Sequence, residues 1–211
     1  MYKNFIKSSF FFVMILIING CSGTDSKQQL IDRAGAPLLS GLGNHSHEIT
    51  SDEEGVQEYF NQGLVLAFAF NHAESVRSFK AAQTLDPSCA MCFWGEALAR
   101  GPNINVTSNG KALMSDEQRV KAFEALSKAK DLMANSTPQE QAYIIALSSR
   151  YDGDISSDRN ALDIAYAVAM GKVVETYPED MDAASLYSEA LMNTMPWNYW
   201  LDDGNPRSDT I

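Results

Sequence analysis

The sequence predicts an all-α fold of paired helices, on two observations. Helix-start signals recur, each an N-cap hydroxyl with a carboxylate or amide three positions on: Ser51 with Glu54, Ser115 with Gln118, and Thr137 with Glu140, where Pro138 adds a proline at the first helical position. Between them apolar residues return at three- and four-residue spacing, as in Val56, Phe60 and Leu64, in Ala122, Leu126 and Ala129, and in Leu162, Tyr166 and Met170. No segment alternates with period two for long enough to make a sheet.

The elements follow in order. Residues 1–20 read as an export signal: Lys3 and Lys7 precede the apolar run Phe10 to Ile18, which is too short to span a bilayer comfortably. The following stretch, IINGCSG, resembles the lipobox of bacterial lipoproteins, although Asn19 replaces the usual small residue. That resemblance implies acylation of Cys21 as the mature N-terminus. Serine rather than aspartate at position 22 favours an outer-membrane lipoprotein facing the periplasm over inner-membrane retention. Residues 21–50 read as a tether and an extended segment docked on the first helix through Leu38, Leu39 and Leu42. Residues 51–211 read as the helical repeat domain.

Within that domain, Glu58 to Pro87 forms a pair of short helices ending in Leu-Asp-Pro. Tyr59, Gly63, Ser75, Phe79, Ala82 and Pro87 fall at the offsets of one tetratricopeptide (TPR) repeat, which the segment resembles. The resemblance implies a TPR-like α-solenoid of antiparallel helix pairs. Gly63, Ser75 and Ala82 would let two helices approach while Tyr59 and Phe79 fill the gap. Gln62 and Ser75 depart from the pattern, standing where leucine and alanine are usual. A second pair is CFWGEALARG with DEQRVKAFEALSKAKDLMA, separated by an insertion at residues 101–114; a third is PQEQAYIIALSSRY with DRNALDIAYAVAMGKVVETYP. A fourth first-helix, DAASLYSEALMN, has no partner, and the aromatic segment after it lacks a polar capping helix. The chain therefore reads as part of a longer protein or as one completed by pairing. The series GLGNHSHEIT, FNHAESVRSF, DPSCAMCFWGEALARGPNIN and YSEALMN looks like a family of longer bacterial exported repeat proteins, across residues 37–211. That likeness implies a fold and an address but no reaction.

Charge narrows the partners. Without residues 1–20, which contain Lys3 and Lys7 and no acid, 14 basic residues face 27 acidic ones, a formal charge of −13. Such a balance speaks against nucleic acid and against peripheral binding to anionic lipid, so membrane attachment would rest on acyl chains. In solenoids of this type the first helix of each pair lines a groove. The resemblance thus places Asn61, Val65 and Glu96 on a surface for a protein or peptide partner in the cell envelope.

The remaining chemistry centres on Cys89 and Cys92, near a helix start after Pro87 with Ser88 as N-cap. In an exported chain the simplest reading is a disulfide at the joint between repeats. Reduced packed thiols and a redox pair remain open, the latter because a helix N-terminus lowers thiol pKa. So does a metal site formed by the pair with His45 and His47, since two cysteines and two histidines are a legitimate zinc set. His72 lies at the opposite end of a helix, about 20 Å from the cysteines at 1.5 Å per residue, and reads as a turn residue. Trp94 reads as core, and the 101–114 insertion as a connection. No nucleophile elbow, phosphate loop, dinucleotide fingerprint or His-Glu-x-x-His occurs, so neither catalysis nor a cofactor is indicated.

Overall fold

The computed structural model describes residues 22–106 and 114–207; the segment expected to be an export signal, Cys21, residues 107–113 of the insertion and residues 208–211 lie outside the described residues. Eight α-helices carry the described chain: α1 (Ser22–Ala34), α2 (Val56–Phe68), α3 (His72–Leu85), α4 (Ala90–Arg100), α5 (Asp116–Leu132), α6 (Pro138–Ser148), α7 (Arg159–Thr176) and α8 (Met181–Thr194), with a 3-10 turn at Met133–Asn135. Among the described residues there is no strand beyond two isolated bridges. No helix among them is long and apolar enough to cross a membrane. Neighbours in sequence are neighbours in space: α2 packs on α3, α4 on α5 and α6 on α7, while α3 and α7 also pack on the next helix, α4 and α8. The α2–α3 pair, joined by residues 69–71 alone, is an antiparallel helix hairpin. α4 further touches both α2 and α6, so these three helices lie side by side in one layer.

Phe79, on α3, holds that layer at its spacing. It is fully buried, and a Cβ on Gly63 of α2 would lie 2.9 Å from its ring, while one on Gly95 of α4 would lie only 2.2 Å away. The ring thus fills the space that two absent side chains leave. Ser75, expected as a small spacer, also donates its hydroxyl to the Gly63 carbonyl at 2.6 Å. From Phe79 an aromatic chain runs inward: Phe60 at 5.4 Å edge-on, Trp94 stacked on Phe60 at 6.4 Å, and Tyr143 edge-on to Trp94 at 5.3 Å. Pairs at these separations add to the area they bury.

Local starts follow the expected chemistry at two places and depart from it at two others. Thr137 forms the full reciprocal capping box with Glu140, and Ser115 caps α5 through the Gln118 N–H. Ser51 does not start a helix. Its hydroxyl donates to Asp86 at 2.6 Å, and α2 begins five residues later behind Gly55, whose positive φ suits a residue without a side chain and leaves room for Leu30 of α1. Ser88 is likewise captured by Asp86, through both its N–H and its hydroxyl, which shifts the N-cap of α4 to Cys89. The segment expected as a tether contains α1, with Leu30 and Ala34 buried.

Cys89 and Cys92 are bonded to each other (Sγ–Sγ 2.03 Å) and buried, and Cys89 Sγ accepts the Cys92 N–H. So short a loop constrains the unfolded chain little: the chain-entropy relation gives about 2 kcal/mol. The bridge fixes the first turn of α4 rather than distant parts of the chain.

Replacing Gly95 with alanine forces a methyl into Phe79, and overpacking of this kind costs about 1–3 kcal/mol. Gly63→Ala meets the same three ring atoms at 2.9–3.0 Å rather than 2.2–2.6 Å, and against that smaller overlap the gain in helix propensity, about 1 kcal/mol at either site, offsets most of the cost. Urea denaturation of both variants should therefore show a marked loss for Gly95→Ala and little change for Gly63→Ala; equal midpoints would contradict the wedge.

Candidate functional site

Residues 36–50 form a strap over α2, held by amide side chains of the helix gripping the strap backbone. Buried Gln62 accepts the Leu39 N–H at 2.7 Å and donates to the Pro37 carbonyl at 3.0 Å and to Ser78 at 2.9 Å. One turn earlier, the buried Tyr59 hydroxyl donates to the Ala36 carbonyl. The strap then reverses at Gly41 and Gly43, both at positive φ, and returns along the same helix. On the way back Asn61 accepts the His47 N–H at 3.1 Å, while Gln57 accepts the Ile49 N–H and donates to the His47 carbonyl. A leucine at position 62 would leave the Leu39 N–H and the Pro37 carbonyl of the outgoing arm without these partners.

The returning arm ends in carboxylates from the far side of the fold. Thr50 donates its N–H and its hydroxyl to the two oxygens of Glu140, both at 2.6 Å. His45 Nε2 lies 3.1 Å from Asp182 Oδ1, and His47 Nδ1 lies 2.8 Å from Asp182 Oδ2, so both rings bracket one carboxylate. His47 is positioned by the aromatic chain, edge-on to Tyr143 at 5.4 Å and 6.1 Å from Phe60. Asp180, the N-cap of α8, accepts the Asp182 and Ala183 N–H groups through one oxygen. Its other oxygen accepts the Tyr143 hydroxyl and Gln139, each at 2.6 Å.

His45, His47, Gln139, Glu140, Asp180 and Asp182 line an open cleft of about 660 Å³. Its walls carry five carboxylates and two histidines, with no lysine or arginine. Burial raises the Asp180 pKa, but the hydrogen bonds from Tyr143, Ala183 and Gln139, with His47 nearby, outweigh it and hold the carboxyl below its usual range. Burial, reinforced by Asp180, drives the Tyr143 phenol far above its usual value, so it remains a donor. The cleft is built to attract positive charge. His47, Asp180 and Asp182 offer ligand atoms within 4.8 Å of one another.

The expected site residues are distributed unevenly. His45 and His47 do come together, but on Asp182; Cys89 and Cys92, the other half of the anticipated metal set, are bonded to one another. Asn61 lies under the strap, as its hydrogen bonds show, and Val65 is half-buried on α2. Glu96 is buried and engaged within the fold, accepting from Gln83 at 2.7 Å and pairing with Arg100 at 2.7 Å. Trp94 is core, whereas Trp197 and Trp200 are exposed. Asp180, Asp182, Tyr143 and Glu140 were missed, because Asp180, Asp182 and Glu140 look like ordinary first-turn residues and Tyr143 like a core position. No protein-family model, curated protein or solved structure matches this chain.

Asp180→Asn keeps an N-cap oxygen but removes the charge. A carboxyl with a lowered folded pKa stabilises above its ordinary value, 3.8, and loses that contribution as pH falls through the folded value. The variant should melt below wild type at neutral pH, and the gap should close in acid. A gap that stays constant in melting curves from about pH 2 to 7 would show that the charge is idle.

Proposed function

We propose that the chain is a TPR-like scaffold, anchored by lipid at Cys21 in the bacterial outer membrane and facing the periplasm, that binds an extended segment of a protein or peptide partner. One observation supports the binding mode. Helix α2 already grips an extended segment, its own strap, through Gln57, Asn61 and Gln62, which hold its backbone at five points and one of its side chains, Ser46. Backbone recognition tolerates many sequences and suits a scaffold that makes and breaks no bond.

The strap is also light enough to be displaced. Each net hydrogen bond contributes about 0.5–1.5 kcal/mol. Ordering each strap residue costs about 1–2 kcal/mol. The balance rests on docked side chains such as Ala36, Leu38 and Ile49 and on the contacts of His45, His47 and Thr50 with Asp182 and Glu140.

Leu39→Pro with Ile49→Pro removes two of the gripped N–H groups without touching α2. A fluorescent peptide with the sequence of residues 36–50 should then bind this variant in trans and not the wild type, read by anisotropy. A folded double variant that ignores the peptide would sink the reading.

The cleft favours a second reading, in which His45, His47, Asp180 and Asp182 hold a divalent transition-metal ion that latches the strap to α8. Two nitrogens with carboxylate oxygens suit zinc, whose ligands at about 2.0 Å stand about 3.3 Å apart in a tetrahedron. His47, Asp180 and Asp182 already offer ligand atoms within 4.8 Å of one another, and His45, 3.1 Å from the other Asp182 oxygen, must move to join them. Zinc should raise the melting temperature and Asp182→Asn should abolish the rise; at one hundred times Kd, binding adds about 2.7 kcal/mol. No zinc shift in calorimetry, or one equally large in the variant, would dismiss the ion.

A further inference from the structure

A second cavity, of about 340 Å³, lies where the C-terminal ends of α2 and α4 meet one face of α8. That volume is at the small end of the range for small-molecule sites, about 300–1,000 Å³. Its wall is mainly apolar, with Phe68, Phe70, Leu98 and Met192 among its residues. The charged groups beside it decide what it can hold, and they are not equally open.

Arg150, just after α6, contributes charge there but no contact. Its terminal nitrogens are sealed inside the fold, its Nε lies 3.0 Å from Asp163 Oδ1, and its guanidinium sits 4.7 Å over the Tyr166 ring. Asp163 is sealed likewise, with Oδ2 unpartnered and Oδ1 also 3.2 Å from Arg159. Glu189 is the exception. It is half-buried in the cavity wall, on the same face of α8 as Ser185 and Met192. Asn193 donates to its Oε1. Its Oε2 has no hydrogen-bond partner among the described residues, yet is not sealed as Asp163 Oδ2 is. One oxygen of a carboxylate therefore stands open at an apolar cavity.

The surroundings leave that carboxylate under-compensated. In formal charge Arg150 and Arg159 balance Asp163 and Glu189. Burial nevertheless raises the Glu189 pKa, and Arg150 and Asn193, which act to lower it, do not bring it back. The ends of α2 and α4 add partial negative charge on the same side. An anion is therefore disfavoured, and a cation completes the set. Two aromatic rings favour the same sign, because a ring face attracts a cation: Phe68 and Phe70 are both partly exposed in the wall. Phe70 is held there against its backbone preference. Its φ of +60° lies in the left-handed region, where a bulky side chain is strained and glycine would serve the turn better.

We propose that this cavity binds a small primary amine with a compact apolar body, its ammonium received by Glu189 Oε2 and its body lying against Phe70 and Met192. A charge-assisted hydrogen bond of this kind is strong where water is excluded. The net charge of −11 draws cations of every kind toward the surface. Selection within the cavity rests on burying the apolar body, which a metal ion or a bare ammonium lacks. The site is separate from the strap and from the histidine cleft, and stands whether or not those readings hold.

Calorimetry on the full chain with 2-phenylethylamine and octylamine tests the proposal, against 2-phenylethanol and octanol as neutral analogues and 3-phenylpropanoate as the anionic one. At least one amine should bind saturably, with its alcohol and the acid at least tenfold weaker. Glu189→Gln keeps an acceptor for Asn193 and should bring the amine down to the affinity of its alcohol. If that variant does not fold, two others decide. Phe70→Gly relieves the strained turn and should keep or raise the melting temperature while weakening the amine at least fivefold, and Met192→Trp should obstruct the cavity with similar loss. Absence of binding by both amines, or an alcohol or acid that binds as tightly, overturns the assignment. So does unchanged affinity in both Phe70→Gly and Met192→Trp, which would place the amine elsewhere on the acidic surface.

Discussion

The constraint on which the rest depends is the insertion of one phenylalanine between two glycines. Phe79 lets α2 and α4 approach only because Gly63 and Gly95 have no Cβ to resist it. Interiors packed to crystal-like density transmit such a spacing rather than absorb it. The layer so fixed carries the aromatic chain from Phe79 through Phe60 and Trp94 to Tyr143, and Tyr143 touches both His47 and Asp180. The histidine cleft is thus the outer end of a ring-to-ring chain that starts at the wedge.

Much of this architecture was legible in the sequence, for a physical reason. Helix pairs announce themselves by local signals, and the spans around α5, α6, α7 and α8 follow from caps and periodicity that involve residues a few positions apart. Phe79, Gly63 and Ser75 were legible from their offsets, whereas Gly95, the closer of the two glycines, was not. What escaped were competitions between residues distant in sequence. Ser51 is a good cap by its own neighbourhood, but Asp86, thirty-five positions on, takes its hydroxyl. Helix α1 lacks a sustained apolar stripe and shows itself through Leu30 filling the space beside Gly55.

The candidate site was half legible. His45 and His47 stood out as rare residues, and their partners did not, because an aspartate at a helix start is explained by capping alone. Gln62 gave the better signal: a polar residue where the pattern wants leucine is a mismatch that needs a partner. Arg150 carried no local signal at all. It is buried against Asp163, which Arg159 also reaches, an arrangement that exists only in three dimensions.

The strap has a consequence for recognition that lies in its connectivity. A ligand on the same chain as its receptor is present at an effective concentration in the millimolar range for a short linker. Any external segment competing for α2 therefore meets a threshold set by the length of chain joining strap to helix, not by the contacts alone. On the proposed binding mode, occupancy would respond to whatever shortens, stretches or restrains residues 50–55, and access to α2 would be governed by the geometry of that short link.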